Sequence, residues 1–193
     1  MLIIDKKALI DEAAYEVFKS LGFKKTNISA ITKKAGIATG SFYNYYASKE
    51  EIFLKIYIQE NNKIREFVKQ NVDWDADPIV IIQQLFAISV QAQKDNNIMK
   101  EWENNDINYL MKDYYNSEEG KNEYQFHHFL LQKFQEKLND MNISKDEITK
   151  ILSTYELIYA IDTKLDHSGI HNFVESYQYL VENFIKGIFL NRE

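Results

Sequence analysis

The chain has no cysteine and a single proline in 193 residues, and each absence removes a class of answers. Without cysteine there is no disulfide framework, no thiolate zinc site and no iron–sulfur cluster, and a reducing cytoplasm fits. The lone Pro78 stands where about 5% of residues would be ordinary, so long stretches are free of the strongest helix breaker. No run approaches the roughly 18 apolar residues of a membrane span. The start MLIIDKKALIDEAA lacks the basic-then-apolar order of a secretory leader, so a soluble, unprocessed, cytoplasmic protein without membrane contact is expected. Strand-like alternation, internal repeats and low-complexity tracts are missing as well. So are the G-x-S-x-G, Walker, H-E-x-x-H and G-x-G-x-x-G patterns, and neither an enzymatic activity nor a cofactor is expected.

What is present is helical in character: 45% hydrophobic residues, 27% charged, and a charge that is unevenly spread. The net charge of −6 would by itself argue against nucleic acid. Its distribution reverses that inference. From Val17 to Lys49 there are six lysines (19, 24, 25, 33, 34 and 49) and no acidic residue; residues 1–50 carry +3 and the remainder −9. A basic head precedes an acidic body, and only the head suits phosphate.

Between Asp5 and Leu21 the apolar positions Leu9, Ile10, Ala13, Ala14, Val17, Phe18 and Leu21 recur at three- and four-residue steps, one face of an amphipathic helix that Gly22 ends. Thr26 or Asn27 can cap a second helix over about 28–34. Gly36 then supplies the positive φ of a tight turn before a third helix over about 39–45. Ser48-Lys49-Glu50-Glu51 is an S-x-x-E capping box opening a long connector to about residue 70, and Pro78 sits at the first position of a fifth helix to about 94. Short helices follow near 99–104 and 107–114, a break near 117–120, and helices over about 122–138, 144–165 and 170–190, the second of these opened by another S-x-x-E box at Ser144. The chain is all-α, with about nine helices: a head over 1–49 and a helical domain over 50–193.

The letters of the head narrow this further. Ala13-Ala14, Phe18, Gly22-Phe23, Thr26, Ile28, Ile31, Ala35-Gly36-Ile37-Ala38-Thr39-Gly40-Ser41-Phe42-Tyr43, Tyr45-Tyr46 and Ser48-Lys49-Glu50 closely resemble the DNA-binding head of the tetracycline-repressor (TetR) family, over about a quarter of the chain. The resemblance implies a helix-turn-helix head, a C-terminal ligand-binding and dimerisation domain, and no enzyme.

In a helix-turn-helix unit the second helix crosses the DNA backbone and the third enters the major groove. Ile28, Ile31, Ile37, Phe42 and Tyr46 have the spacing of packing residues, which leaves Thr39, Gly40, Ser41, Tyr43, Asn44 and Tyr45 outward. Gly40 admits a close backbone approach, and Ser41 and Asn44 offer donors and acceptors to base edges. The resemblance implies phosphate contacts from Tyr43, Tyr45 and Lys49, aided by Lys25 and Thr26. The competing reading of Lys25, Thr26 and Asn44 is an exposed polar side chain with no role. Ala38 stands where the family more often has serine or threonine, so the capping hydroxyl of the third helix is expected from Thr39. That helix has no arginine, the commonest reader of guanine, so a site read through A·T contacts or DNA shape is expected.

The last two helices are apolar on more than one side, which calls for two burials, one against their own domain and one against a second chain. Ile151, Tyr155, Ile158, Phe173, Tyr177, Leu180, Phe184 and Ile188 are the candidate dimer residues, a deeper monomer core being the alternative. The resemblance implies double-stranded DNA with a palindromic operator, a homodimer and a small largely apolar or aromatic effector. Phe86, Trp102, Tyr109, His127, Phe134 and Tyr155 are candidates to line its pocket, although each also suits an ordinary helical core. A regulator whose body docks a protein instead remains the alternative. Asp162, Asp166, His167 and His171 cluster in sequence, but Gly169 breaks the helix between the histidines, and no metal is expected.

Overall fold

The apolar stripe of the first helix is buried along its length: Ile10, Ala13, Ala14, Val17 and Phe18 all lie in the core of α1 (Lys6–Lys25), which Asp5 caps by accepting from the amides of Lys7 and Ala8. The computed structural model describes residues 5–117, 120, 124–164 and 169–190. Among them the chain is all-helical: after α1 come α2 (Ile28–Ala35), α3 (Thr39–Phe42), α4 (Lys49–Asn71), α5 (Pro78–Asp95), a 3-10 helix (Met99–Glu103), α6 (Asn105–Asn116), α7 (Tyr124–Asn139), α8 (Lys145–Lys164) and α9 (Phe173–Phe189). Of the expected helix ends, Asn122 and Leu165 lie outside the described residues.

The helix starts follow local chemistry. Asn27 caps α2 by accepting from the Ala30 amide at 2.9 Å, Ser48 accepts from Glu51 at 3.2 Å, and Ser144 accepts from Glu147 at 3.2 Å. Glu51 reaches back one residue beyond the usual box and takes the Ala47 amide. Pro78 opens α5, with Asp77 accepting from the Ile79 amide at 2.8 Å.

Gly36 ends α2 at φ 68°, ψ 31°, donating to the Lys33 carbonyl while Ile37 donates to that of Thr32. A Cβ there would meet nothing within 4 Å, so the demand for glycine is purely conformational. Gly36→Ala is therefore expected to cost about 1–2 kcal/mol, the penalty of the left-handed region, seen as a lower urea midpoint at unchanged slope.

The chain divides into two compact units, Met1–Lys69 with Ser89–Leu110, and Gln70–Ile88 with Met111–Glu193. In the first, Phe53 of α4 lies edge-on to Phe18 and Phe23, each at 4.9 Å between centroids, and all three rings are buried. In the second, Leu138, Ile151 and Ile188 form a core that Phe134, Leu152 and Phe184 surround. Within that unit Trp74 packs edge-on against Phe129 at 5.0 Å, and Lys137 donates to the carbonyls of Asp75 and Ala76. No helix among the described residues is long and apolar enough to cross a membrane.

Candidate nucleic-acid interface

The third helix is held from behind by two aromatic rings. Phe42 is fully buried and Tyr46 nearly so, their centroids 5.8 Å apart, while Ile31 closes the core from α2. Ile28 and Ile37 are only half-buried, at the margin of that core. The helix is shorter than the period implied: α3 ends at Phe42, and Tyr43–Tyr45 continue as turns, with Tyr45 and Tyr46 donating to the Phe42 carbonyl. Thr39, Gly40, Tyr43 and Asn44 are exposed, Tyr43 at 58%, and Ser41 and Tyr45 are half-exposed.

The expected cap from Thr39 is not formed. Ala38 is the N-cap with no side-chain bond, and the Thr39 hydroxyl instead meets that of buried Thr32 at 3.1 Å, tying α3 to α2. Of the lysines between Val17 and Lys49, Lys19, Lys24, Lys25, Lys33 and Lys34 are exposed.

Two of the expected phosphate contacts are placed elsewhere. Thr26 is 2% exposed and its hydroxyl donates to the Gly22 carbonyl at 2.7 Å, so it closes the end of α1 and offers nothing to solvent. The Lys49 ammonium turns inward, donating to the carbonyls of Phe23 and Thr26 at 3.0 and 3.1 Å and sitting 3.9 Å from the Phe23 ring centroid. Both side chains brace the turn between α1 and α2.

A polar cluster behind α3 has no counterpart in the sequence reading, which took Tyr46 as packing alone. The Tyr46 hydroxyl donates to Asp11 of α1 and accepts from Lys7 and from Lys55 of α4, the latter two at 2.8 Å, and Lys55 also pairs with Asp11. Burial would lower the Lys55 ammonium, but its bonds to Asp11 and Tyr46 outweigh that and raise it well above the ordinary lysine value. It stays charged, and the cluster fixes the turn after α3 to α1 and α4. The signal available in the sequence was the hydroxyl at position 46; the partners 35 and 9 residues away were not.

In the second unit the structure gathers some of the candidate pocket residues and not others. His127 of α7 is buried, stacks on Tyr159 at 3.7 Å and Tyr155 at 5.5 Å, and its Nε2 lies 3.1 Å from a Glu156 oxygen. Phe134 lies 5.4 Å from Tyr155 on the other side, which makes a file of His127, Tyr155 and Phe134. Phe86 instead packs against Tyr177 at 6.4 Å, and the Tyr177 hydroxyl donates to the Ile158 carbonyl. Burial pushes the phenols of Tyr155 and Tyr177 up, reinforced by neighbouring Tyr159 and Asp162, so both remain neutral. Tyr109, in the first unit, is 73% exposed and is not part of that file. The Trp102 side chain lies outside the described part of the chain.

The candidate dimer residues divide similarly. Ile151, Ile158 and Ile188 are corrected to buried within the chain itself, Ile151 and Ile188 in one core with Leu138 of α7. Tyr155, Phe173, Tyr177 and Phe184 are half-buried, and Leu180 is exposed. The outward large apolar positions on these helices and just past the end of α9 are Leu157, Tyr179, Leu180 and Leu190, the first two more than 65% exposed. Of the acidic and histidine cluster, Asp166 and His167 lie outside the described residues, among which no metal-binding group of three or more is gathered.

Residues 10–56 match the family of bacterial regulatory proteins described as the tetR family. The chain is 32% identical over 90 residues to the HTH-type transcriptional regulator YhgD of Bacillus subtilis, a match covering 44% of this chain and 45% of that one. It is 30% identical over 63 residues to the fatty acid metabolism regulator protein of the same species, covering 33% and 32%. The chain spans less than half the length of these curated relatives that it matches. Its fold is shared with Thermus thermophilus FadR, a TetR-family transcriptional repressor solved in complex with lauroyl-CoA, at a TM-score of 0.56 and 19% identity over 97% of this chain and 96% of that one. The matched residues 10–56 fall on a three-helix unit whose third helix is anchored by Phe42 and Tyr46, an N-terminal module similar to that of the tetR family of bacterial regulatory proteins.

Proposed function

We propose that the chain is a sequence-specific DNA-binding transcriptional regulator, a repressor released from a palindromic operator by a small, largely apolar or aromatic effector. The observation that carries this reading is the outward set on α3 and the turn after it. Thr39, Gly40, Tyr43 and Asn44 are exposed while Phe42 and Tyr46 hold the same segment from behind. Asn44 supplies the donor–acceptor pair that reads adenine, Gly40 leaves open space for close backbone approach, and Ser41 and Tyr45 stand at the margin. The exposed lysines, Lys25 among them, supply the phosphate attraction that an acidic chain otherwise lacks.

One short reading helix contacts too few bases for tight and selective binding, so a second copy is part of the proposal. Leu157 on α8 with Tyr179 and Leu180 on α9 and Leu190 just past its end form its centre, because they are the large apolar residues of this region left in solvent. The effector belongs to the second unit, against the file of His127, Tyr155 and Phe134, where neutral phenols and one buried imidazole give an apolar site with a few polar tips. That a repressor of the same fold holds lauroyl-CoA, whose acyl chain is apolar, supports an effector with an apolar part. Such release needs only about 1–3 kcal/mol of differential binding.

The test is selection from a random-sequence DNA pool by the purified chain, beside a Leu157→Arg, Leu180→Arg variant. A palindromic consensus is expected from the wild type, and a monomer in sedimentation with at least about a hundredfold weaker binding from the variant. A non-palindromic consensus, or a variant that remains dimeric, would remove the twofold arrangement from the proposal.

A further inference from the structure

We infer that Glu101 is a positioning residue of the DNA-reading unit, an inference that rests on the function proposed above. The reason begins with Gly22. Its φ of 73° and ψ of 174° interrupt α1 three residues before the end, so the chain leaves the helical path there. In an unbroken helix the Phe23 amide would donate to the carbonyl of residue 19. The turn at Gly22 separates that pair and leaves a donor and an acceptor to be satisfied by something else.

Both are taken by one segment from far along the chain. The Phe23 amide donates to Glu101 Oε1 at 2.8 Å, and the Lys19 carbonyl accepts from Asn97 Nδ2 at 2.8 Å, each across 78 residues of sequence. The segment is itself held: Asn96 Nδ2 donates to Glu60 of α4 at 2.6 Å, Asn104 donates to the second Glu101 oxygen at 2.9 Å, and Ile98 is fully buried. Glu101 fits because position 22 has no side chain; a Cβ there would lie 2.9 Å from Oε1.

In the next peptide group the Phe23 carbonyl accepts from the Lys49 ammonium and from the Thr26 amide. Phe23, near the end of α1, is thus gripped at its N–H by Glu101 and at its carbonyl oxygen by Lys49. The proposed reading residues lie beyond this point, since α2 begins at Ile28 and α3 at Thr39. A change in the backbone angles of Gly22–Phe23 swings α2 and α3 together relative to α1. Glu101 contributes to DNA binding by preventing that swing, without facing DNA itself.

Hydrogen exchange and DNA binding, measured on the wild type, Glu101→Ala and Glu101→Gln, test this with two separate readouts. The probe for binding is the duplex that the wild-type chain enriches from a random-sequence pool. In Glu101→Ala the Phe23 amide should exchange at least about tenfold faster while the amides of Ile10–Val17 keep their rates, and DNA affinity should fall about tenfold. Glu101→Gln retains an oxygen that accepts from the Phe23 amide, so it should stay within about threefold of the wild type on both readouts. Unchanged exchange at Phe23 in Glu101→Ala would overturn the inference, as would faster exchange with undiminished DNA affinity. Faster exchange along the whole of α1 would also overturn it, by showing a general loss of stability. If the wild type enriches no duplex, the proposed function fails and the positioning role with it, while exchange at Phe23 still reports whether Glu101 holds the turn.

Discussion

Asn44→Ala is expected to reduce affinity for the selected palindrome by about thirtyfold to twenty-thousandfold, because a base-edge contact of about 1–3 kcal/mol is lost in each of two heads. Discrimination between that palindrome and unrelated DNA should fall by a similar factor. Lys25→Ala should behave differently. Its exposed ammonium meets phosphate without reading sequence, so binding to all DNA weakens alike, and the salt dependence becomes shallower by about 0.9 per head. Tyr43→Ala combines the two: the ring stands 58% exposed on the reading face, and its loss removes both a phosphate donor and apolar contact with the groove. None of the three should alter folding by more than about 0.5 kcal/mol, since each side chain is exposed. Titration of the three variants across salt separates these outcomes. Should Asn44→Ala weaken specific and unrelated DNA equally, the turn after α3 is a phosphate grip and the bases are read elsewhere.

Phe53→Ala carries the largest expected effect on stability. The ring is fully buried, with Phe18 and Phe23 each 4.9 Å away in edge-on geometry and Tyr57 at 6.2 Å. Removing it leaves a cavity lined by three rings that belong to two different helices, and such a site cannot collapse without moving them. A loss of about 3–5 kcal/mol is expected, against a total of about 5–15 kcal/mol for a typical domain. Urea unfolding followed by circular dichroism should show the midpoint of the first unit falling sharply. A change under about 1 kcal/mol would mean that the rings repack, and that Phe53 is not the hub of this core. A destabilised head should also bind DNA less well in proportion to its unfolded fraction, a pattern distinct from that of Asn44→Ala, where folding is untouched.

The contrast between these variants is one between residues whose roles could be read from the letters and residues whose roles could not. Asn27, Ser48, Ser144 and Pro78 mark helix starts through bonds that span two or three residues, and local bonds of that length are present in the sequence itself. The buried stripe from Ile10 to Phe18 is legible for the same reason, because helical geometry alone puts those positions on one face. The glycine at 36 announces a positive φ that only the backbone demands.

Thr26, Lys49 and Tyr46 were not legible, since what each polar group meets depends on helices packed against it. Thr26 carries a hydroxyl and Lys49 a long cation, and either is as well suited to phosphate as to a buried carbonyl. Only the packing of α4 against the α1–α2 turn, which places the Phe23 and Thr26 carbonyls within 3.1 Å of the lysine, decides the matter. Ile151, Ile158 and Ile188 show the same limit on the other unit. A helix apolar on two sides tells that both are to be covered, and not which side its own chain covers.

By itself, then, the sequence determined that the chain is helical, where its helices begin, and that a basic three-helix unit at its N-terminus resembles a DNA reader. These follow from bonds and periodicities that repeat within a few residues. The tertiary structure decided which polar groups are spent internally, which apolar faces remain in solvent, and that Glu101 and Asn97 complete a helix broken at Gly22. Those outcomes depend on partners up to 78 residues away, and the energy that selects them comes from satisfying buried groups once the helices have met.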